Sequence, residues 1–144
     1  TPITLKDAFA TLVLAPTEPP RILAPGRSVK LRADEQAVQL PLLADASGVT
    51  ERARERGALR MRSVLGVTRS GRVLVGLLKH DSSDPLAVAL RSAGAEQVVE
   101  LDRGSHHPAF VHRAGTDNPP GASYESTTLW VLGRPMVPGA RVVK

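Results

Sequence analysis

A chain of 144 residues with 42% hydrophobic content has the length and apolar mass of one domain. Its four aromatic side chains, Phe9, Phe110, Tyr124 and Trp130, leave a core of Leu, Val and Ala and no stacking platform for single-stranded nucleic acid. The net charge of +5 favours anionic partners; the absence of cysteine excludes disulfides, thiolate metal sites and cysteine nucleophiles, and no run approaches the roughly 20 apolar residues that span a bilayer.

Residues 8–15, Ala-Phe-Ala-Thr-Leu-Val-Leu-Ala, read as a buried strand closed by Pro16, with the Pro-rich stretch to Pro20 as a rigid extended connection. Pro25-Gly26 marks a turn, and the polar–apolar alternation of Ser28-Val-Lys-Leu-Arg32 predicts a half-buried strand. A further short strand is expected at Ala37–Leu40, stopped by Pro41. Residues 44–60 carry little periodic signal and predict loop or irregular helix. The dense arginines Arg52, Arg54, Arg56, Arg60 and Arg62 are interleaved with Glu51 and Glu55, the pattern of a solvated face rather than of a nucleic-acid footprint.

Arg62-Ser-Val-Leu-Gly-Val-Thr68 and Val73-Leu-Val-Gly-Leu-Leu78 flank the turn-forming Arg69-Ser-Gly-Arg72 and predict a β-hairpin. Ser82, Ser83 or Asp84 can cap a helix whose first turn holds Pro85. Leu86, Ala89, Leu90 and Ala93 recur at helical spacing, and Gly94 is a suitable terminator. Gln97-Val-Val-Glu-Leu101 then reads as a buried strand that delivers Asp102 to the loop after it. Beyond lie a loop from Arg103 to Pro108, a short apolar segment at 109–111, a turn through Asn118-Pro-Pro-Gly121 and a last β-rich strand at 127–132. The fold class expected is α+β: a mixed β-sheet with few helices, one hairpin and a helix–strand unit leading to the site loop. Residues 1–144 form a single domain or the C-terminal fragment of one.

Asp102-Arg-Gly-Ser105 is the most informative constellation. A carboxylate at the end of a buried strand, followed by Gly and small polar residues, is held rigidly where a ligand can approach the backbone. Such an Asp can act as general acid or base, bind a sugar hydroxyl or bind a metal, or it can simply close an Asp turn on backbone N–H groups. His106, His107 and His112 cluster beside it, but no short metal motif is present and no metal or other cofactor is expected. His106 is a candidate acid/base by position, and Arg62 a candidate bidentate clamp for phosphate. Thr1 is a possible nucleophile only if a cleavage exposes it. There is no Walker loop, no Gly-x-Gly-x-x-Gly and no Gly-x-Ser-x-Gly.

Taken together, Arg62-Ser-Val-Leu-Gly with its hairpin, the helix ending Ala93-Gly-Ala95 and Val99-Glu-Leu-Asp-Arg-Gly-Ser105 resemble the phosphodiester glycosidase (uncovering-enzyme-like) domain family. That family's pattern runs Arg-Thr-Ala-hydrophobic-Gly, a hairpin around an Asp-Gly turn, a helix ending Leu-Gly-Ala, then Asn-Leu-Asp-Gly-Gly-Gly-Ser. The resemblance covers residues 60–133. It implies a hydrolase of sugar phosphodiesters or related anionic glycans, with Asp102 and His106 catalytic and Arg62, Arg103, Gly104 and Ser105 contacting a glycan or sugar-phosphate ligand. It also implies a secreted or periplasmic location. Arg103 replaces a family Gly, Glu100 stands where Asn is usual, and the family's upstream Asn-Gly-x-Phe segment is absent. These departures define the alternatives: a domain completed by an upstream chain of the same protein, a degenerate module that binds an anionic ligand without turnover, or one chain of a self-cleaved protein exposing Thr1.

Overall fold

The computed structural model describes residues 8–103, with side chains described through residue 101. Thr1 and the calls at Gly104, Ser105, His106, His107, His112 and the strand 127–132 lie outside the described residues.

In chain order the elements are β1 (Phe9–Leu14), β2 (Arg21–Leu23), β3 (Gln36–Asp45), β4 (Gly48–Val49), α1 (Glu51–Arg54), β5 (Arg60–Thr68), β6 (Val73–His80), α2 (Asp84–Ser92) and β7 (Ala95–Arg103). The strands make one sheet in the order β2-β1-β3-β7-β5-β6, with β4 pairing onto β3. An α+β composition therefore holds in its broad form, dominated by sheet. The expected mixed sheet does not: every strand pair among the described residues is antiparallel. The reason lies in α2. It leaves β6, the edge strand among those described, and returns the chain beside β5 instead, so β7, although it points the same way as β6, pairs antiparallel with β5.

β3 joins the two halves of the sheet. Its first part pairs with β1 as far as Phe9↔Pro41, and its second part pairs with β7 from Leu42↔Val99. Pro41 was expected to stop a strand at Leu40. It is accommodated because it falls where one ladder ends and the next begins, so its missing N–H interrupts little pairing. The alternating segment Ser28–Arg32 is not a strand; nearly all of it is exposed, so the alternation has no buried face to serve. The pairing with β1 goes instead to Arg21–Leu23, where Ile22 is buried opposite Leu12. The connection that follows is pinned by Glu35, whose carboxylate accepts from Arg21 Nη2 at 2.6 Å and from the Arg32 backbone N–H at 2.8 Å.

β5 and β6 form the predicted hairpin in continuous register from Arg60↔His80 to Val67↔Val73, closed by Gly71 at φ 78°. From Arg62 to Val67 every residue of β5 is buried, so both faces of this central strand are covered. α2 covers the face carrying Val64 and Gly66. Leu86 and Leu90 pack there because neither Gly66 nor Gly76 has a side chain: a Cβ on Gly76 meets Leu90 Cδ1 at 2.9 Å and Leu86 Cδ2 at 3.0 Å. The core under the helix gathers these leucines with Leu43, Ala44, Ala53, Val64, Ala87, Ala95 and Val98. At about 1.5–3 kcal/mol for each large buried aliphatic side chain, this layer is the main stabilising contribution of the helix. α2 ends as its sequence predicts, with Gly94 at φ 98° after the Ala93 N–H has bonded the Ala89 carbonyl.

Candidate active site at the β5–β7 ladder

Arg62 and Asp102 are 40 positions apart in sequence, yet the β5–β7 ladder pairs Arg62 with Arg103 and Ser63 with Asp102. Asp102 was expected on the loop after the strand. β7 instead continues through Arg103, so Asp102 is still in the ladder. It occupies an unusual register there. Below it the pairs run Val64↔Glu100, Leu65↔Val99 and Gly66↔Val98, so Leu101 has no partner and is a β-bulge. Without that extra residue, position 102 would fall opposite Arg62. Bulges are a common means of re-aiming a residue at the edge of a site.

On the helix side of the sheet, the same end of β5 holds a buried polar cluster. Arg62 and Glu100 are each 3% exposed, and Ser83 is 1% exposed. The Arg62 guanidinium donates from Nε to the His80 carbonyl at 2.9 Å, from Nη1 to Ser83 Oγ at 3.3 Å and from Nη2 to the Asp81 carbonyl. Ser83 Oγ in turn donates to Glu100 Oε1 at 2.7 Å, and Arg62 Nη1 lies 3.7 Å from the same oxygen. Charges taken this far from water need partners. Glu100 finds a cation and a hydroxyl, and Arg62 finds two carbonyls besides. Ser83 is the N-cap of α2, but its hydroxyl makes no cap bond; its oxygen accepts from Arg62 and its proton goes to Glu100. The 80–83 loop is also tied to α1, since the Ser83 N–H bonds the Ala53 carbonyl at 3.0 Å and the Gly57 N–H bonds the Asp81 carbonyl at 2.8 Å.

His80 sits at the rim of this cluster. Its Nδ1 accepts the Ser82 N–H at 3.1 Å and lies 3.0 Å from Asp81 Oδ1.

The structure thus brings the sequence-predicted Arg62, Asp102 and Arg103 to one end of two adjacent strands. It adds Glu100, Ser83 and Ser63, which sequence reasoning had not placed in the site. Glu100 carried a usable signal: a carboxylate inside the apolar run Val98–Leu101 demands a buried partner. Among the described residues no group of three or more His, Asp or Glu is arranged to hold a metal. A concavity of about 370 Å³ opens at the other end of the hairpin, where Pro19, Pro20 and Arg21 face Val67–Gly71, and it contains none of the predicted site residues. No family model matches the chain, and no curated protein or solved structure compared with it matches either.

Proposed function

We propose that the chain is the site-bearing part of a phosphodiester-glycosidase-type hydrolase acting on sugar phosphodiesters or related anionic glycans. The observation that carries this reading is the β5–β7 register, which brings Arg62 and Ser63 alongside Arg103 and Asp102 at one end of the sheet. Two motif halves that the sequence resemblance pairs by function are therefore neighbours in space. In this reading Asp102 and His106 serve the reaction, Arg103, Gly104 and Ser105 contact the ligand, and the protein acts in a secreted or periplasmic setting. The test is hydrolysis of a sugar-1-phosphodiester by the full chain, alone and together with any upstream polypeptide that co-purifies. Asp102→Asn is expected to abolish turnover, and a variant as fast as wild type would remove Asp102 from the mechanism.

A second reading has its own supporting observation. The Arg62 guanidinium already bonds two carbonyls, Ser83 and the neighbourhood of Glu100, a commitment typical of a structural arginine rather than of a phosphate clamp. A module that keeps the scaffold and binds an anionic glycan through Arg103 without turnover accounts for this. Saturable binding of a sugar phosphate with no product release distinguishes it from the hydrolase.

A further inference from the structure

β6 is built like an interior strand but lies at the end of the sheet among the described residues, where it pairs with β5. Its run Val73-Leu-Val-Gly-Leu-Leu78 is apolar on both faces, the composition of a strand covered from both sides. On the helix side Leu74 packs against the core, and Gly76 lies beneath Leu86 and Leu90. On the other side the cover stops at β5. Leu65 and Ser63 are buried there, while the residues paired with them, Val75 and Leu77, are 54% and 46% exposed. Edge strands are ordinarily protected by shortness, proline, bulges or charge. β2, at the opposite end of the sheet, is three residues long and follows Pro19 and Pro20. β6 has no proline and no bulge against β5, and Lys79 stands only at the end of its apolar run. One turn bond fixes which backbone groups of β6 point outward. The Thr68 N–H bonds the Arg72 carbonyl at 2.9 Å, so the even-numbered residues of β6 are those bonded to β5. Val73, Val75, Leu77 and Lys79 therefore turn their N–H and C=O groups away from it.

We infer that the β6 edge is an interface between two copies of this chain, joined antiparallel about a two-fold axis so that their sheets run on as one. Self-pairing must join outward-pointing groups to outward-pointing groups, so both residues of each hydrogen-bonded pair are odd-numbered. Among the registers that satisfy this, the one centred on Gly76 opposes Val75 to Leu77 of the second copy and Leu74 to its Leu78. Apolar then meets apolar on both faces, and the exposed Val75 and Leu77 of the two copies close into one cluster. Arg72 faces His80 and Lys79 faces Val73, so no arginine or lysine opposes another. The allowed registers two residues away instead set Arg72 against Leu78 or Lys79 against Val75. A second copy is thus the occupant that this strand complements by its own sequence. A single short strand offers less than the standard of about 800 Å² per partner, so the dimer is expected to dissociate on dilution. The inference is independent of the hydrolase reading, because β5 separates this edge from β7.

The test is amide hydrogen exchange of the full chain, read residue by residue by NMR over a series of concentrations, with sedimentation velocity reporting the oligomeric state. The alternation of β6 gives the exchange a signature. The amides of Val73, Val75, Leu77 and Lys79 are expected to exchange about tenfold more slowly in the concentrated, dimeric sample than in the dilute one. Those of Leu74, Gly76 and Leu78, bonded to β5, are expected to keep the same protection throughout. Val75→Pro removes only an outward N–H, which an edge strand tolerates, and is expected to be monomeric at every concentration with the β5-bonded amides still protected. Leu77→Lys leaves the backbone intact, sets a charge in the apolar cluster and is expected to be monomeric too. Protection of the outward amides that does not change with concentration means that the edge is covered within one chain, and overturns the inference. A wild type that stays monomeric at all concentrations, or a dimer that survives both substitutions, also overturns it.

Discussion

Arg62 and Glu100 approach to 3.7 Å in the interior, with Ser83 Oγ hydrogen-bonded to both. Burying two charges costs more than a surface pair returns, but removing one of them is worse, because it leaves the other uncompensated. Glu100→Leu is therefore expected to lower stability by about 3–5 kcal/mol. The double replacement Arg62→Met with Glu100→Leu is expected to recover a large part of that loss. Urea unfolding of the three proteins measures both effects. A Glu100→Leu protein as stable as wild type would show that the pair contributes nothing to holding the 80–83 loop against β5.

The N-terminal half of the sheet depends on a different set of charges. Glu18 Oε1 lies 2.7 Å from Arg32 Nη1, bridging the Pro-rich connection to the segment before β3. The hydrogen bond from Arg32 holds the Glu18 carboxyl below its ordinary value of 4.5, with the nearby charges of Arg32 and Arg21 adding to it and partial desolvation opposing it. A carboxylate whose folded-state pKa is depressed contributes stability above its unfolded value and loses it as pH falls through the folded one. The difference in Tm between wild type and Glu18→Gln is thus expected to be small and constant near neutrality, where the pair is exposed and screened. It should shrink as the pH drops below 4.5. A difference that grows on acidification would contradict this assignment.

What the sequence made legible, and what it hid, follows one physical division. The hairpin, α2 and the core of β7 were readable because each carries its own period or punctuation: alternating or apolar runs, Pro85 in the first turn, and Gly71 and Gly94 at positive φ. Ser28–Arg32 misled because alternation reports amphipathicity and not burial, and the segment has no layer to pack on. The antiparallel arrangement of β7 was hidden because which strand it joins depends on contacts between segments far apart in sequence. The bulge at Leu101 was hidden for the same reason, since it exists only relative to β5. The candidate site divides likewise. Asp102, Arg103 and Arg62 stood out by local composition, whereas Ser63 acquires meaning only from its cross-strand partner and its burial.

The seat of α2 gives the sharpest test of the packing. Gly66 lies on β5 under the helix, and a Cβ there falls 2.8 Å from Ala95 Cβ, 3.1 Å from Leu90 Cδ2 and 3.4 Å from the Gln97 carbonyl oxygen. Leu90 can rotate away, but Ala95 has no torsion with which to move its methyl group. The strand β7 must therefore shift, and β7 is paired on both sides, to β5 and to β3. Gly66→Ala is expected to cost about 1–3 kcal/mol by overpacking, despite the better intrinsic conformational restriction of alanine. Gly76 is the internal comparison. Its nearest neighbours are the ends of Leu86, Leu90 and Val64 side chains, and it lies on the edge strand among those described, so Gly76→Ala is expected to cost less. Combining Gly66→Ala with Ala95→Gly removes the clashing methyl and should restore part of the loss. Thermal unfolding of the single and paired variants measures the coupling. Strict additivity of Gly66→Ala and Ala95→Gly would mean that the two residues do not meet as described.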